Sequence, residues 1–201
     1  MTGVQTCALP ILLLGQTPSQ TVGPFFAYSL TPKQYGYDWT SLAGPDMADE
    51  TTSGTPIRIE GKVFDGAGQP VTDALIEIWQ ADATGQYTRA DAGNTPFTGL
   101  GRCGTGSDSD ALFHFRTIKP GSVGTGHAPH VNVIVQMRGL LLHAFTRIYF
   151  ADEVEANEAD PVLITVPEKR RSTLIAQLVS PHIYRFDIHM QGENETVFFD
   201  I

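Results

Sequence analysis

The sequence predicts an all-β protein: a two-layer β-sandwich with an irregular N-terminal arm and one short helix. Three observations lead there. Short segments alternate apolar and polar residues, Gly/Pro/Asp-rich turn signals recur roughly every ten residues, and only one stretch shows helical spacing. With 201 residues, 41% of them hydrophobic, the chain can bury one full core.

Residues 1–11, MTGVQTCALPI, are similar to the translation of a common sequencing adaptor, so the natural chain is expected to begin near Leu12. Residues 12–55 form the arm, rich in Pro, Gly, Ser and Thr, with Phe25, Phe26, Tyr28, Tyr35, Tyr37 and Trp39 scattered without period. The sandwich domain occupies residues 56–201. Its first strand is IRIEGKVFD (57–65), where Ile57, Ile59 and Val63 alternate with Arg58, Glu60 and Lys62; the turn DGAGQP (65–70) closes it. Further strands are expected at ALIEIWQAD (74–82), LFHFRTI (112–118), HVNVIVQMR (130–138), AFTRIYFAD (144–152), YRFDIHMQG (184–192) and ETVFFDI (195–201). The helix is placed at PEKRRSTLIAQLV (167–179), with Pro in the first turn and Leu174, Ile175 and Leu178 on one face.

Charge narrows the partners. Asp and Glu number 22 against 13 Lys and Arg, a net charge of −9, and the largest basic cluster is Lys169-Arg170-Arg171 at the helix start. Such a balance repels nucleic acid and anionic membranes, and that cluster reads as a solvated helix face. Two cysteines, Cys7 and Cys103, are not a disulfide framework, which fits a reducing, cytoplasmic setting. The apolar run at residues 7–15 has no preceding positive charge and is too short to span a bilayer.

Six histidines stand at 114, 127, 130, 143, 182 and 189, without an i, i+4 pair or a Cys/His zinc spacing. On the strand from residue 130, Val131, Val133, Val135 and Met137 share a core face, while His130, Asn132, Ile134, Gln136 and Arg138 share the other. A strand-borne H-x-H would aim two imidazoles at one metal. Here Asn132 takes the second place, and an amide oxygen is a weak substitute for imidazole on a transition metal, so His130 alone reads as a hydrogen-bonded structural residue.

The segments TPSQTVGPFF, DGAGQPVTDALIEIWQADATGQY, GLGRC, FRTIKPG, APHVNV, RIYFAD and YRFDIHMQGENETVFFD resemble the intradiol ring-cleavage dioxygenases from about Pro18 to Ile201. The resemblance implies a β-sandwich core, non-haem Fe(III), O₂, and cleavage of a catechol between its hydroxyl-bearing carbons. It implies two tyrosines and two histidines as ligands in the iron-bearing chains of the family. Tyr87 matches the first tyrosine and His130 the first histidine; Asn132 replaces the second histidine, and residues 121–129 contain no tyrosine for the fourth position. Losing a phenolate and an imidazole removes charge compensation and geometry for a hard trication, so no iron is expected in this chain.

The resemblance is to the iron-free α chains of the family. It therefore implies a β subunit that holds Fe(III), protocatechuate and O₂ as substrates, and a wall of the β subunit's pocket made by this chain. It places Gly23, Pro24 and Phe25 against bound substrate, with Phe25 where tyrosine is common, and Arg138 beside the partner's active site as a cation for the anionic substrate. Residue chemistry leaves three alternatives open: an iron dioxygenase with an unusual ligand set, a non-enzymatic β-sandwich binding module, and a secreted carrier. Phe25 and Phe26 could equally pin the arm to the core, and Arg138 could pair with a nearby carboxylate.

Overall fold

The computed structural model describes residues 18–88 and 95–200. The adaptor-like residues 1–11 lie outside them. Nine strands form one mixed sheet: β1 (Pro56–Phe64), β2 (Leu75–Gln80), β3 (Leu100–Gly104), β4 (Leu112–Ile118), β5 (His130–Gln136), β6 (Ala144–Phe150), β7 (Ile175–Ser180), β8 (Ile183–Arg185) and β9 (Ile188–His189). Their order is β3-β2-β5-β6-β7-β8-β1-β4, with β9 added beside β1. The β3-β2-β5-β6 half is antiparallel throughout. Strand β7 joins the halves, parallel to β6 and antiparallel to β8, so the sheet folds over on itself as a sandwich.

The core follows from strand alternation. Ile57, Ile59 and Val63 of β1 and Phe113 and Phe115 of β4 meet Ile76 and Ile78 of β2, Val131, Val133 and Val135 of β5, and Ile148 and Phe150 of β6. The face expected for β5 is the face observed: its valines are buried, while Asn132, Ile134 and Gln136 are half-buried on the opposite side. Gly61 is required by packing. A Cβ there would lie 1.7 Å from the Phe186 carbonyl oxygen, because the chain leaves β8 at Arg185 and crosses against β1 before resuming as β9. That crossing divides the single strand expected at 184–192.

Three expectations change. The helix foreseen at 167–179 is one α-turn, Glu168–Arg171, then a 3₁₀ turn, Ser172–Leu174, and the rest is β7. Leu178 and Val179 are exposed rather than on a buried helical face, because Ile175 and Ala176 pair with Tyr149 and Phe150 and pull the segment into the sheet. Strand β3 was not expected, since its two glycines hide the alternation. The C-terminal segment contributes only an isolated bridge, Phe145 to Phe199. Besides this turn, the described residues hold short helices at Phe26–Leu30 (α1), Val154–Ala159 (α2) and Pro161–Thr165 (α3), making Glu168–Arg171 α4.

The arm is partly core. Met47 is 1% exposed, within the main cluster, and Asp46 and Ala48 bridge to Arg116 and Phe97. Gln34 accepts from the Gly104 N–H at 2.8 Å, fixing the 3₁₀ turn Pro32–Tyr35 to the end of β3. Among the described residues no helix is long and apolar enough to cross a membrane.

Candidate functional site

A cleft of about 710 Å³ opens on the outer face of β2, β5 and β6. Pairing register builds its floor: Trp79 lies opposite Asn132, and Asn132 opposite Arg147, so one row crosses three strands. Tyr87 reaches in from the loop after β2, Leu100 from β3, Phe145 from β6, Val162 from α3, and Phe199 from the C-terminal segment. Trp79 and Tyr87 pack with ring centroids 4.6 Å apart.

One hydrogen-bonded chain runs through this floor. The Asn132 Nδ2 donates to the Tyr87 hydroxyl at 3.0 Å, and Arg147 Nε donates to Asn132 Oδ1 at 3.1 Å. This fixes the amide orientation, since the reverse would aim NH₂ at a guanidinium. Arg147 Nη1 donates to the Tyr149 hydroxyl at 3.4 Å, and that hydroxyl donates to Asp160 Oδ1 at 3.1 Å. Asp160, fully buried, also accepts from the backbone N–H groups of Ala128, Val162 and Leu163, and so caps α3. Burial alone would raise its pKa, but donation from Leu163, Ala128 and Tyr149 outweighs burial and holds the carboxyl below its usual range. Burial pushes the Tyr149 phenol up to about 12, so it stays a neutral donor.

His130 begins β5 and is buried beside Tyr149, ring centroids 5.7 Å apart. Its Nδ1 lies 2.8 Å from the Ala128 carbonyl, which can only accept, so Nδ1 carries the proton. Burial lowers its pKa, keeping the ring neutral. His130 and Asn132 share the outer face of β5 and Tyr87 stands in the loop after β2; Asn132 and Tyr87 are bonded to one another and His130 Nδ1 to Ala128, while His130 is not among the residues that line the cleft. Among the described residues no three His, Cys, Asp or Glu side chains form a metal-holding group.

The other named positions are elsewhere. None of Gly23, Pro24, Phe25 or Arg138 lines the cleft. The Gly139 N–H donates to Thr21 Oγ1 at 2.8 Å, tying the segment before Gly23 to the turn that holds Arg138. Strand β5 ends at Gln136, so Arg138 sits in that turn, 57% exposed and paired with Asp73. Phe25 is 74% exposed, and a Cβ on Gly23 would meet nothing within 4 Å. Among the described residues nothing meets a Cβ at Gly23 or buries the Phe25 ring.

Arg147, Trp79, Tyr149 and Asp160 were not singled out from sequence. Phe145, Arg147 and Tyr149 alternate on one face of β6, a visible pattern; only strand pairing puts Arg147 against Asn132.

The fold is that of a dioxygenase scaffold, and the family model for dioxygenases matches residues 23–192. The chain belongs to the intradiol ring-cleavage dioxygenase family. Within that family it is 52% identical to the protocatechuate 3,4-dioxygenase alpha chain of Burkholderia cepacia, over 94% of this chain and 98% of that one. It is 34% identical to the beta chain of the same organism's enzyme, covering 71% of this chain and 67% of that one. Among solved structures, the dioxygenase domain of a carbohydrate-binding fusion from Streptomyces sp. SirexAA-E superposes with a TM-score of 0.57 at 25% identity, covering 91% of this chain and 100% of that one.

Proposed function

We propose that this chain is the iron-free α subunit of a cytoplasmic protocatechuate 3,4-dioxygenase, paired with a β subunit that holds Fe(III). The assembly uses O₂ to convert protocatechuate to 3-carboxy-cis,cis-muconate in aromatic catabolism. The observation that carries this reading is the Asn132 amide bridging Tyr87 and Arg147. A neutral amide and a permanent cation occupy a place where ferric iron needs anionic and imidazole donors, and a guanidinium repels a trication. These residues do not fit iron. The chain performs no bond change in this reading; it contributes shape, positive potential and quaternary contacts.

The wall that faces the partner's substrate is assigned to Gly23, Pro24, Phe25 and Arg138. Support comes from the Thr21–Gly139 bond, which ties the segment before Gly23 to the turn of Arg138, and from the exposure of Phe25 and Arg138. Asp73 holds the guanidinium in place and leaves further donors for an anion. Residues 12–55 serve as the arm that presents the Gly-Pro-Phe segment, and residues 56–201 as the sandwich domain.

Co-expression with a β chain tests the proposal. Metal analysis and visible absorption are expected to find iron in the assembly and none retained stoichiometrically by this chain alone, with turnover of protocatechuate only by the assembly. Tightly held iron and turnover in the isolated chain would overturn the reading; absence of any complex would favour a binding module.

A further inference from the structure

We propose that the cleft over β2, β5 and β6 is a second, non-catalytic site, which binds a small planar aromatic carboxylate through Arg147. The inference stands on the cleft alone and does not depend on the chain's place in an assembly. Its size, about 710 Å³, falls within the range of small-molecule sites. Trp79, Tyr87, Phe145 and Phe199 present aromatic surface around it, suited to a flat ring.

Arg147 is half-buried in this chain of net charge −9, yet it has no carboxylate partner among the described residues. Its two hydrogen bonds go to neutral acceptors, the Asn132 amide and the Tyr149 hydroxyl. Two of the nearby carboxylates are committed elsewhere. Glu77 pairs with Arg102 and accepts from Gln136, and Asp160 is spent on three backbone N–H groups and Tyr149. Asp200 is exposed at the rim. Among the described residues the sealed, unpartnered side-chain polar atoms are His127 Nδ1, Asn157 Oδ1 and Arg170 Nε and none belongs to Arg147, which lines the cleft, so its spare guanidinium donors remain open there. A planar fork with free donors, held from behind and flanked by aromatic rings, suits bidentate pairing with a carboxylate.

The test uses benzoate as probe and benzamide as its uncharged counterpart. Both are titrated calorimetrically into the assembly co-purified with its iron-bearing partner, while the iron absorption band reports any binding there. The expected result is a benzoate site that leaves the iron band unmoved and quenches emission lost in Trp79→Phe. Benzamide and the Arg147→Gln variant should each weaken this site by roughly tenfold or more, the scale of a charge-assisted hydrogen bond. Leu100→Trp, which fills the cleft without touching the Arg147 network, should abolish it. Benzoate binding confined to the iron, or binding indifferent to charge, Arg147 and Leu100→Trp, overturns the proposal. Should no assembly form, the same titration of the full-length chain reads the cleft directly, so the two proposals fail separately.

Discussion

Replacing Asp160 with alanine should cut the site's supporting chain at its anchored end. The carboxylate accepts four hydrogen bonds, from the N–H groups of Ala128, Val162 and Leu163 and from the Tyr149 hydroxyl, at 2.9 to 3.1 Å. Loss of the α3 cap costs about 1 kcal/mol. The Ala128 N–H and the Tyr149 hydroxyl are left without acceptors in the interior, each at about 1–3 kcal/mol, so the total is about 3–7 kcal/mol. Urea unfolding at neutral pH should show this as a lower midpoint with an unchanged slope. Asp160→Asn should fall between, because it keeps one acceptor oxygen but turns donors toward donors. Acid dependence follows from the depressed carboxyl. Its stabilisation is fully present above the unfolded value of about 4 and is lost as pH falls through the lower folded value. The stability gap between the natural chain and Asp160→Asn should therefore be flat near neutrality and close only in strong acid. A loss below about 1 kcal/mol for Asp160→Ala would refute the network as described.

Other substitutions separate the site from the scaffold. Arg138→Ala in the assembled enzyme should raise KM for protocatechuate by roughly tenfold without moving the iron absorption band; unchanged steady-state kinetics would remove Arg138 from the pocket wall. Phe25→Ala should change the stability of the chain by less than about 0.5 kcal/mol, since the ring is 74% exposed, while lowering kcat/KM of the assembly. A stability loss above about 1 kcal/mol in urea would mean that the ring pins the arm instead. Gly61→Ala should cost about 3 kcal/mol or prevent folding, because the new methyl carbon collides with the Phe186 backbone; near-native thermal unfolding would contradict that close approach.

Of the residues that line the cleft, Tyr87 and Asn132 were marked in advance, and none of its wiring was. Tyr87, His130 and Asn132 were marked by position, and alternation alone put His130 and Asn132 on the same face of β5. Arg147 escaped notice because a lone arginine on an alternating strand has the look of any solvent-facing residue. Its meaning depends on β5 and β6 lying side by side in the register that sets Asn132 against Arg147. Asp160 escaped for a related reason: from sequence it is one acidic residue among several between two expected elements, and only the packing of α3 beneath β6 brings it to Tyr149. The segment 167–179 misled because Leu174, Ile175 and Leu178 satisfy helical spacing, while the open edge of β6 offered its last residues a ladder of backbone bonds.

By itself the sequence determined the β class, the inward faces of β1 and β5 and the acidic character, because each depends only on residue identity and local periodicity. The tertiary structure decided how Tyr87, Asn132, Arg147, Tyr149 and Asp160 are wired together. Distances between side chains on different strands are set by pairing register and sheet curvature, and no local pattern encodes that an amide, a guanidinium, a phenol and a carboxylate will close into one chain beneath an aromatic cleft.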